Sequence, residues 1–412
     1  MIKVLRLKDI GIFKGGLTYS PENICDKEEG ILVLRSSNIQ NSKISLLDNV
    51  YVNCEVSSDL LIKKGDLLIC SRNGSANLVG KTAQIEDDIH ATWGAFMMIF
   101  RTSYNSRYTY YLLNDSITKN KGLFSTSTIN QLTNSMLGNI YVNFELDISE
   151  QEKIARYLDT KVGEIDQKVS LIEKKIERYQ LLKKSIINKV VTKGLHPEAP
   201  LKESQISWLG QIPEHWEVKR MKEICLDVFT GATPSTNQPE YWDGNIPWIP
   251  SGCCHDCEVY EAPKYITNEG YKSSSTRWIP AETTIMAITG ATCAQVGYLK
   301  FDTCANQSVI AFLGNRHYTN ARYLFYALRS FRNIILMKRT GGAQAGINTE
   351  DCKHILVTLP PLSEQQEIAS YLDQKCADID AIIANCTAQI EKYKTLKRAL
   401  INEVVTGQRA IE

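Results

Sequence analysis

"ISEQEKIARYLDTKVGEID" (Ile148–Asp166) and "LSEQQEIASYLDQKCADID" (Leu362–Asp380) are one stretch written twice in a chain of 412 residues. With Ser149 set against Ser363 the match runs without a gap to Thr192 and Thr406, and roughly half of the positions are identical. The shared residues include Tyr157-Leu158-Asp159 with Tyr371-Leu372-Asp373, Ile165-Asp166 with Ile379-Asp380, and Val190-Val191-Thr192 with Val404-Val405-Thr406. The same offset aligns "VLRLKDI" from Val4 with "VKRMKEI" from Val218, and "VGKTAQIED" loosely echoes "VGYLKFD". The chain is therefore one unit of about two hundred residues repeated, a period far too long for a solenoid. It points to two domains related by a pseudo-dyad, the internal counterpart of a homodimer.

Each repeated block has the pattern of a long helix. Ser149 with Glu152, and Ser363 with Gln366, fit a capping box, in which hydroxyl and N3 side chain satisfy free N–H groups. Behind them Leu158, Val162, Ile165, Val169, Ile172, Ile176, Tyr179, Ile186 and Val190 follow 4-3 spacing, interrupted by Lys183. The second copy supplies Leu372, Cys376, Ile379, Ile383, Cys386, Ile390, Tyr393, Leu400 and Val404, with Lys397 at the matching interruption. A sustained seven-residue repeat predicts a left-handed coiled coil, and each helix should span roughly 60–65 Å. Two unrelated amphipathic helices, each packed on its own domain, are the plainer alternative. The matched polar break favours two seams made for one another. Spacing alone allows parallel or antiparallel pairing; a dyad perpendicular to the helices makes them antiparallel, with one globular domain at each end.

Residues 1–147 and 217–361 are mostly short β-rich runs bounded by Gly, Asn and Ser, such as "GDLLICSRNG" and "TTIMAITGAT". Each half then has one amphipathic helical stretch, near Tyr108–Ile117 and Asn320–Met337. The expected fold class is α+β: two similar domains of short strands plus helices, separated by two long helices. The boundaries are 1–147 for the first domain, 148–194 for the first long helix, 195–216 for a linker, 217–361 for the second domain and 362–408 for the second helix. The linker reading rests on the three prolines of "GLHPEAPLKESQISWLGQIPEHW".

Composition narrows the function. Hydrophobic residues make up 43% of the chain, enough for a sizeable core. No apolar run approaches a membrane span and the first residues lack a signal-peptide core, so a cytoplasmic protein is expected. The 12 cysteines are irregularly spread, which favours reduced thiols. The net charge of +1 argues against coating nucleic acid by charge alone. Locally the balance differs. Thr303–Thr349 contains no acid but carries Arg316, Arg322, Arg329, Arg332, Lys338 and Arg339, interleaved with aromatics. Between Ile89 and Phe144, Asp115 stands alone against Arg101, Arg107, Lys119 and Lys121. The aromatics read as a core face, and the basic residues as phosphate neutralisers or a solvated face. Polar loops follow, "STSTINQLTN" (125–134) and "TGGAQAGINT" (340–349), where Asn130, Gln131, Gln344 and Asn348 have amides suited to adenine edges; an ordinary connecting loop is the alternative.

No catalytic constellation is present in the sequence. "VGKT" at Val79–Thr82 has the wrong glycine spacing for a phosphate-binding loop and runs into a strand. The cluster Cys253–Cys257 has C-x-x-C spacing but lacks a well-spaced second pair for zinc, so incidental thiols at a strand end are the favoured reading. A two-domain reader without an active site needs partners for chemistry.

"LPPLSEQQEIASYLDQKCADID…LINEVVTG", its first copy and "WLGQIPEHWEVKRMKEI" resemble the specificity (S) subunit of type I restriction–modification systems. The resemblance covers nearly the whole chain and is weakest inside the globular halves. It implies two target-recognition domains separated by an antiparallel coiled coil that sets the gap between two DNA half-sites. It implies double-stranded DNA, two methyltransferase (modification) subunits and restriction subunits as partners. The chain itself would be non-catalytic and without a cofactor, with S-adenosylmethionine, ATP and Mg on the partner subunits. Alternatives are a specificity component of another split-site restriction system and a non-DNA adaptor joining two binding modules. Under the DNA reading, the contact residues expected are Arg35, Arg72, Asn73, Gln131, Arg316, Lys338, Arg339, Gln344 and Asn348. The seam residues expected are Leu158, Ile165, Val169, Ile172, Ile176, Leu372, Ile379, Ile383 and Ile390.

Overall fold

A computed structural model describes residues 1–124, 131–340 and 345–411. It divides into two compact units. One holds Met1–Glu173 together with Thr387–Glu412, the other Lys174–Cys386. Both long helices form, as Ile148–Lys193 (46 residues) and Leu362–Val405 (44 residues).

The first unit contains a four-stranded sheet in the order Ile12–Gly15, Met97–Arg101, Leu67–Cys70 and Thr82–Gln84, all antiparallel. A second sheet runs Ala91–Trp93, Ile31–Leu34, Val50–Val52 and Ile24–Cys25, its first pair parallel. Strand Ile2–Arg6 pairs with Tyr141–Glu145, the strand that leads into the first long helix. The second unit repeats this plan. Its larger sheet orders Cys225–Thr230, Val309–Gly314, Thr284–Ala287, Val296–Leu299 and Cys257–Val259. Its smaller one orders Lys264–Ile266, Trp242–Ile249 and Cys304–Ala305, and Glu217–Arg220 pairs with Leu356–Leu359.

The heptad positions become core where each helix meets its own globular domain. In the first unit Leu158, Val162 and Ile165 pack with Leu400, Val404 and Val405, and all six share a core with Tyr108, Leu112 and Phe144. In the second, Ile368, Leu372 and Cys376 pack with Ile187, Val190 and Val191 around Trp216, Tyr323 and Leu328. In each unit the start of one long helix lies beside the end of the other, which is the antiparallel arrangement. Ile379 and Ile390 are also buried, while Val169, Ile172, Ile176 and Ile383 are half-buried. The polar interruptions are explained by the same contacts. Lys397 donates to both carboxylate oxygens of Asp166 at 2.7 Å within the first unit. Lys183 does the same to Asp380, at 2.6 and 2.7 Å, within the second. A polar group at a seam position costs stability but selects a register, because a shifted helix would leave it facing apolar side chains.

Two expectations need correction. Ser149 and Ser363 do not open the helices; each lies inside its first turn. The Ser149 N–H donates to Asp147 Oδ1 at 2.8 Å, so the preceding acid acts as the cap. In the second helix the Gln365 N–H already bonds the Pro361 carbonyl, one residue before the helix begins. Nor is 195–216 a loose connector. Leu201–Glu203 and Gln211–Pro213 form a hairpin, and Leu209, Ile212 and Trp216 are buried in the core of the second unit. Pro200 precedes the first short strand and Pro213 ends the second, and Leu209, Ile212 and Trp216 carry the packing. Glu364 secures this segment, accepting from Trp216 Nε1 at 3.0 Å and bonding His215 Nε2 at 2.8 Å.

The crossbars predict a charge-reversal result. Lys397→Asp places two carboxylates together and should lower stability by about 0.5–1 kcal/mol, a modest value because Asp166 is largely exposed. Adding Asp166→Lys should restore most of the loss. Denaturant titration of the wild type, both single variants and the double variant measures the coupling.

Candidate nucleic-acid interface

The basic residues of the acid-poor stretches and the expected contact residues fall into two structural sets. The first set welds each domain to its long helix. Asn105 caps helix Ser106–Lys119 by accepting from the Tyr108 N–H, and its own N–H donates to Gln151 Oε1 at 3.0 Å. Gln151 is fully buried, and its Nε2 donates to the Glu145 carbonyl. Two turns onward, Asp159 Oδ1 accepts from Arg107 Nε at 2.6 Å and from the Tyr111 hydroxyl at 2.7 Å. The second unit repeats every part. Asn320 caps helix Ala321–Ser330 and donates to Gln365 Oε1 at 2.8 Å. Asp373 Oδ1 accepts from Arg322 Nε at 2.7 Å and from the Tyr326 hydroxyl at 2.6 Å. Burial works most strongly against the Arg322 charge, but its bond to Asp373 together with the nearby Tyr326, Asp373 and Glu258 groups outweighs that and holds its pKa above the ordinary value.

These contacts remove several cations from the candidate phosphate ligands. Arg107 and Arg322 belong to the weld. Arg101 forms a two-oxygen pair with Asp66, Arg332 pairs with Asp256, and Lys119 pairs with Asp115. The acid-poor windows were misleading because Asp66, Asp159, Asp256 and Asp373 lie outside them in sequence and fold against them. "NSRYTYY" (Asn105–Tyr111) and "NARYLFY" (Asn320–Tyr326) are a second repeat that was legible; their offset is one residue longer than that of the helices.

The second set lies at loop tips. In the first unit Arg35, Arg72 and Asn73 line a single cleft of about 1070 Å³, together with Tyr19, Ser36 and Phe96. Gln131 does not line the cleft but bridges by backbone to Arg72, which does. Sequence reasoning missed Phe96, a 60% exposed ring at the lip. The Arg72 guanidinium lies over that ring, 5.3 Å from its centroid. Arg35 donates to Asp48 at 3.1 Å, and Asn73 donates to Ser36 Oγ at 3.2 Å.

The second unit builds its loops on the same hydrogen bonds. The Ser71 N–H donates to the Phe96 carbonyl, and the Ile288 N–H to that of Ser308. Leu132 N–H bonds Ser71 O as Ile347 N–H bonds Ile288 O. The bridge Arg72 with Gln131 corresponds to Thr289 with Gly346. Residue by residue, Arg72 matches Thr289, Phe96 matches Ser308, and Arg35 before the turn Ser36–Asn38 matches Pro250 before Ser251–Cys253. The second unit therefore offers neutral groups at these places, with Gln307 exposed at the tip and held by the Thr233 hydroxyl.

The remaining expected contacts scatter. Lys338 and Arg339 stand at the base of the loop closed by the bridge of Thr340 with Gly346, and Arg339 donates to the Ala345 carbonyl at 3.1 Å. Arg316 is exposed on a separate loop, in the groove lined by Leu362 and Gln366. Asn348 is a helix cap: its Oδ1 accepts from the Asp351 N–H at 2.7 Å and its Nδ2 donates to Asp351 Oδ2. Its amide is spent on the fold, as is the Thr133 hydroxyl at the matching cap, so it is withdrawn as a base reader. Gln344 and Asn130 lie outside the described residues. Cys254 is buried and Cys257 exposed, and among the described residues no group of three or more His, Cys, Asp or Glu is placed to hold a metal. Among them, too, no helix is long and apolar enough to cross a membrane.

Comparison with known proteins follows the same division. The family model described as "Type I restriction modification DNA specificity domain" matches twice, over residues 2–178 and 213–392. A Methanocaldococcus jannaschii chain assigned as the specificity subunit of the type I restriction enzyme MjaX is 26% identical, covering 98% of this chain and 93% of that one. The Escherichia coli EcoKI specificity subunit is 22% identical, over 95% and 86% of the two chains. Among solved structures, a chain from work on assembly and conformational transition of the type I R-M system superposes with a TM-score of 0.76 at 16% identity, covering 99% of this chain and 98% of that one. The HsdS subunit of Thermoanaerobacter tengcongensis superposes with a TM-score of 0.52 at 16% identity, over 99% and 97%.

Two measurements test the weld. Asp373→Asn keeps the shape but removes the charge that Arg322 and Tyr326 share, and should cost about 1–3 kcal/mol of stability in denaturant titration. Burial pushes the Tyr108 phenol up to about 12, and burial followed by the Asp159 and Asp373 bonds raises Tyr111 and Tyr326 further. Their contribution is intact below the ordinary phenol value and is lost as pH rises through the folded one. In an alkaline absorbance titration these phenols should ionise only together with unfolding.

Proposed function

We infer the mode of action from one premise: this chain belongs to the type I restriction–modification DNA specificity family, and is a DNA specificity subunit with two target-recognition domains. Each unit reads one half of a bipartite, asymmetric site on double-stranded DNA. The observation that carries this is the pair of loop sets built on one hydrogen-bond scaffold but tipped with different side chains. Equal frames with unequal tips suit two readers of unequal half-sites. The tips meet base edges in the major groove, where all four base pairs are distinguishable, and exposed Arg316 and Arg339, with half-buried Lys338, neutralise phosphates.

The two long helices act as the ruler. Their antiparallel pairing makes each one begin in one unit and end in the other, so the number of turns sets the spacing of the half-sites. Their outer faces carry exposed Leu171 and Leu396 in the first unit and Leu181 and Leu182 in the second, apolar surface suited to partner subunits. Two methyltransferase subunits dock there and supply methyl transfer from S-adenosylmethionine. Restriction subunits add ATP- and Mg-dependent translocation and cleavage. This chain contributes recognition and spacing, not catalysis, and works in the cytoplasm beside the DNA.

Duplex binding by the chain with its methyltransferase partner should weaken steeply as salt rises. Binding that ignores salt would overturn the DNA assignment. Lengthening both helices by one heptad adds about 10 Å, which should widen the preferred spacer by about three base pairs, at 3.4 Å each, and leave both half-sites unchanged. Sequencing of methylated sites with the wild-type and lengthened chains measures this.

A further inference from the structure

Among the first unit's cleft residues, Arg72 is placed unlike the others. The Arg35 guanidinium is held by Asp48, and the Asn73 amide bonds Ser36 Oγ and the Ser75 N–H. Arg72 is exposed and lies over the Phe96 ring, and among the described residues no carboxylate pairs with it. The two side chains spring from one knot: the N–H groups of both Ser71 and Arg72 donate to the Phe96 carbonyl, at 3.0 and 3.1 Å. The guanidinium is planar, so its edge donors share one plane, and holding it over an aromatic ring leaves it less freedom to lose when they bind. Two parallel donors in a plane match O6 and N7 of guanine, the acceptor pair of the major groove. A phosphate can also take the fork, but a phosphate contact carries no sequence information, so the two ligands differ in what the loss of Arg72 does to the motif.

We propose that Arg72 reads a guanine in the half-site bound by the first unit, and that Phe96 is its positioning residue. The inference rests on the DNA-reading assignment above. It extends to the second unit by difference. Thr289 and Ser308 occupy the matching positions, so neither the fork nor its platform is present. The half-site read by the second unit has no guanine requirement from this position. Gln307, at the tip between Asn306 and Ser308, presents an amide there instead.

The test uses the full chain assembled with its methyltransferase subunits, with methylated sites mapped by sequencing and duplex affinity measured in parallel. Arg72→Gln and Arg72→Lys should both relax one guanine position in one half-site and leave the other half-site unchanged. Affinity for the original site should fall on the order of 10- to 100-fold. Phe96→Leu should relax the same position, whereas Phe96→Tyr, which keeps the platform, should preserve the motif. Three results overturn the proposal. The first is an unchanged motif in Arg72→Gln with a uniform loss of affinity and a shallower salt slope, which identifies a phosphate contact. The second is full retention of the motif by Arg72→Lys, since lysine keeps the charge without the fork. The third is relaxation in both half-sites. If the wild-type complex imposes no motif at all, the DNA-reading assignment fails with it. A motif that survives Arg72→Gln removes the guanine assignment alone.

Discussion

The architecture depends on how a short helix is held against a long one. In each unit a capped helix presents Asn, Arg and Tyr to a Gln and an Asp that stand two turns apart on the long helix. The Gln is fully buried, so its amide must be satisfied, and it is, by the cap residue's N–H and by the backbone at the helix start. The Asp takes two short bonds from Arg and Tyr. Hydrogen bonds to a charged group are roughly twice as strong as neutral ones, and a domain fixed at two points cannot pivot on its helix. Recognition loops carried on such a domain inherit the orientation of the helix.

The helices in turn are not a free-standing rod. The start of one and the end of the other are embedded in the same globular core, so neither can slide without exposing Leu158 and Val404, or Leu372 and Val190. Partway along, where burial thins to half-covered isoleucines, the lysine–aspartate crossbars take over the selection of register. Apolar seams tolerate several registers; a charge at a seam position tolerates few. That restriction fixes which residues of the two helices face one another.

Variation is confined to the tips. Backbone bonds around Ser71, Phe96 and Leu132 recur around Ile288, Ser308 and Ile347, and these hold the loop frames. The side chains that project from the frames are under little packing demand, since they are exposed. Arg72, Phe96 and Gln307 can therefore differ between units at little cost to stability. This division between a satisfied frame and free tips lets one scaffold serve two different half-sites.

Much of the plan was legible from the sequence alone. The gapless repeat of the "SEQ" blocks implied two units, the 4-3 spacing implied two paired long helices, and the paired Lys183 and Lys397 implied that the seams belong together, because periodicity reports directly on a helix face. Even the weld was written in the sequence, as the doubled Asn-x-Arg-Tyr-x-x-Tyr. Four things were decided only by tertiary structure. Asn348 became a cap because the chain turns into a short helix at Thr349, and Arg107 and Arg322 became structural because Asp159 and Asp373 approach them from distant sequence. The segment 195–216 became core rather than connector once Trp216 met Glu364. Phe96 became a platform for Arg72 because a turn between strands brings its carbonyl to the Arg72 backbone. Local pattern records what one element needs from its own neighbours. Which charges are spent and which remain to meet a ligand depends on contacts made only when the chain has folded.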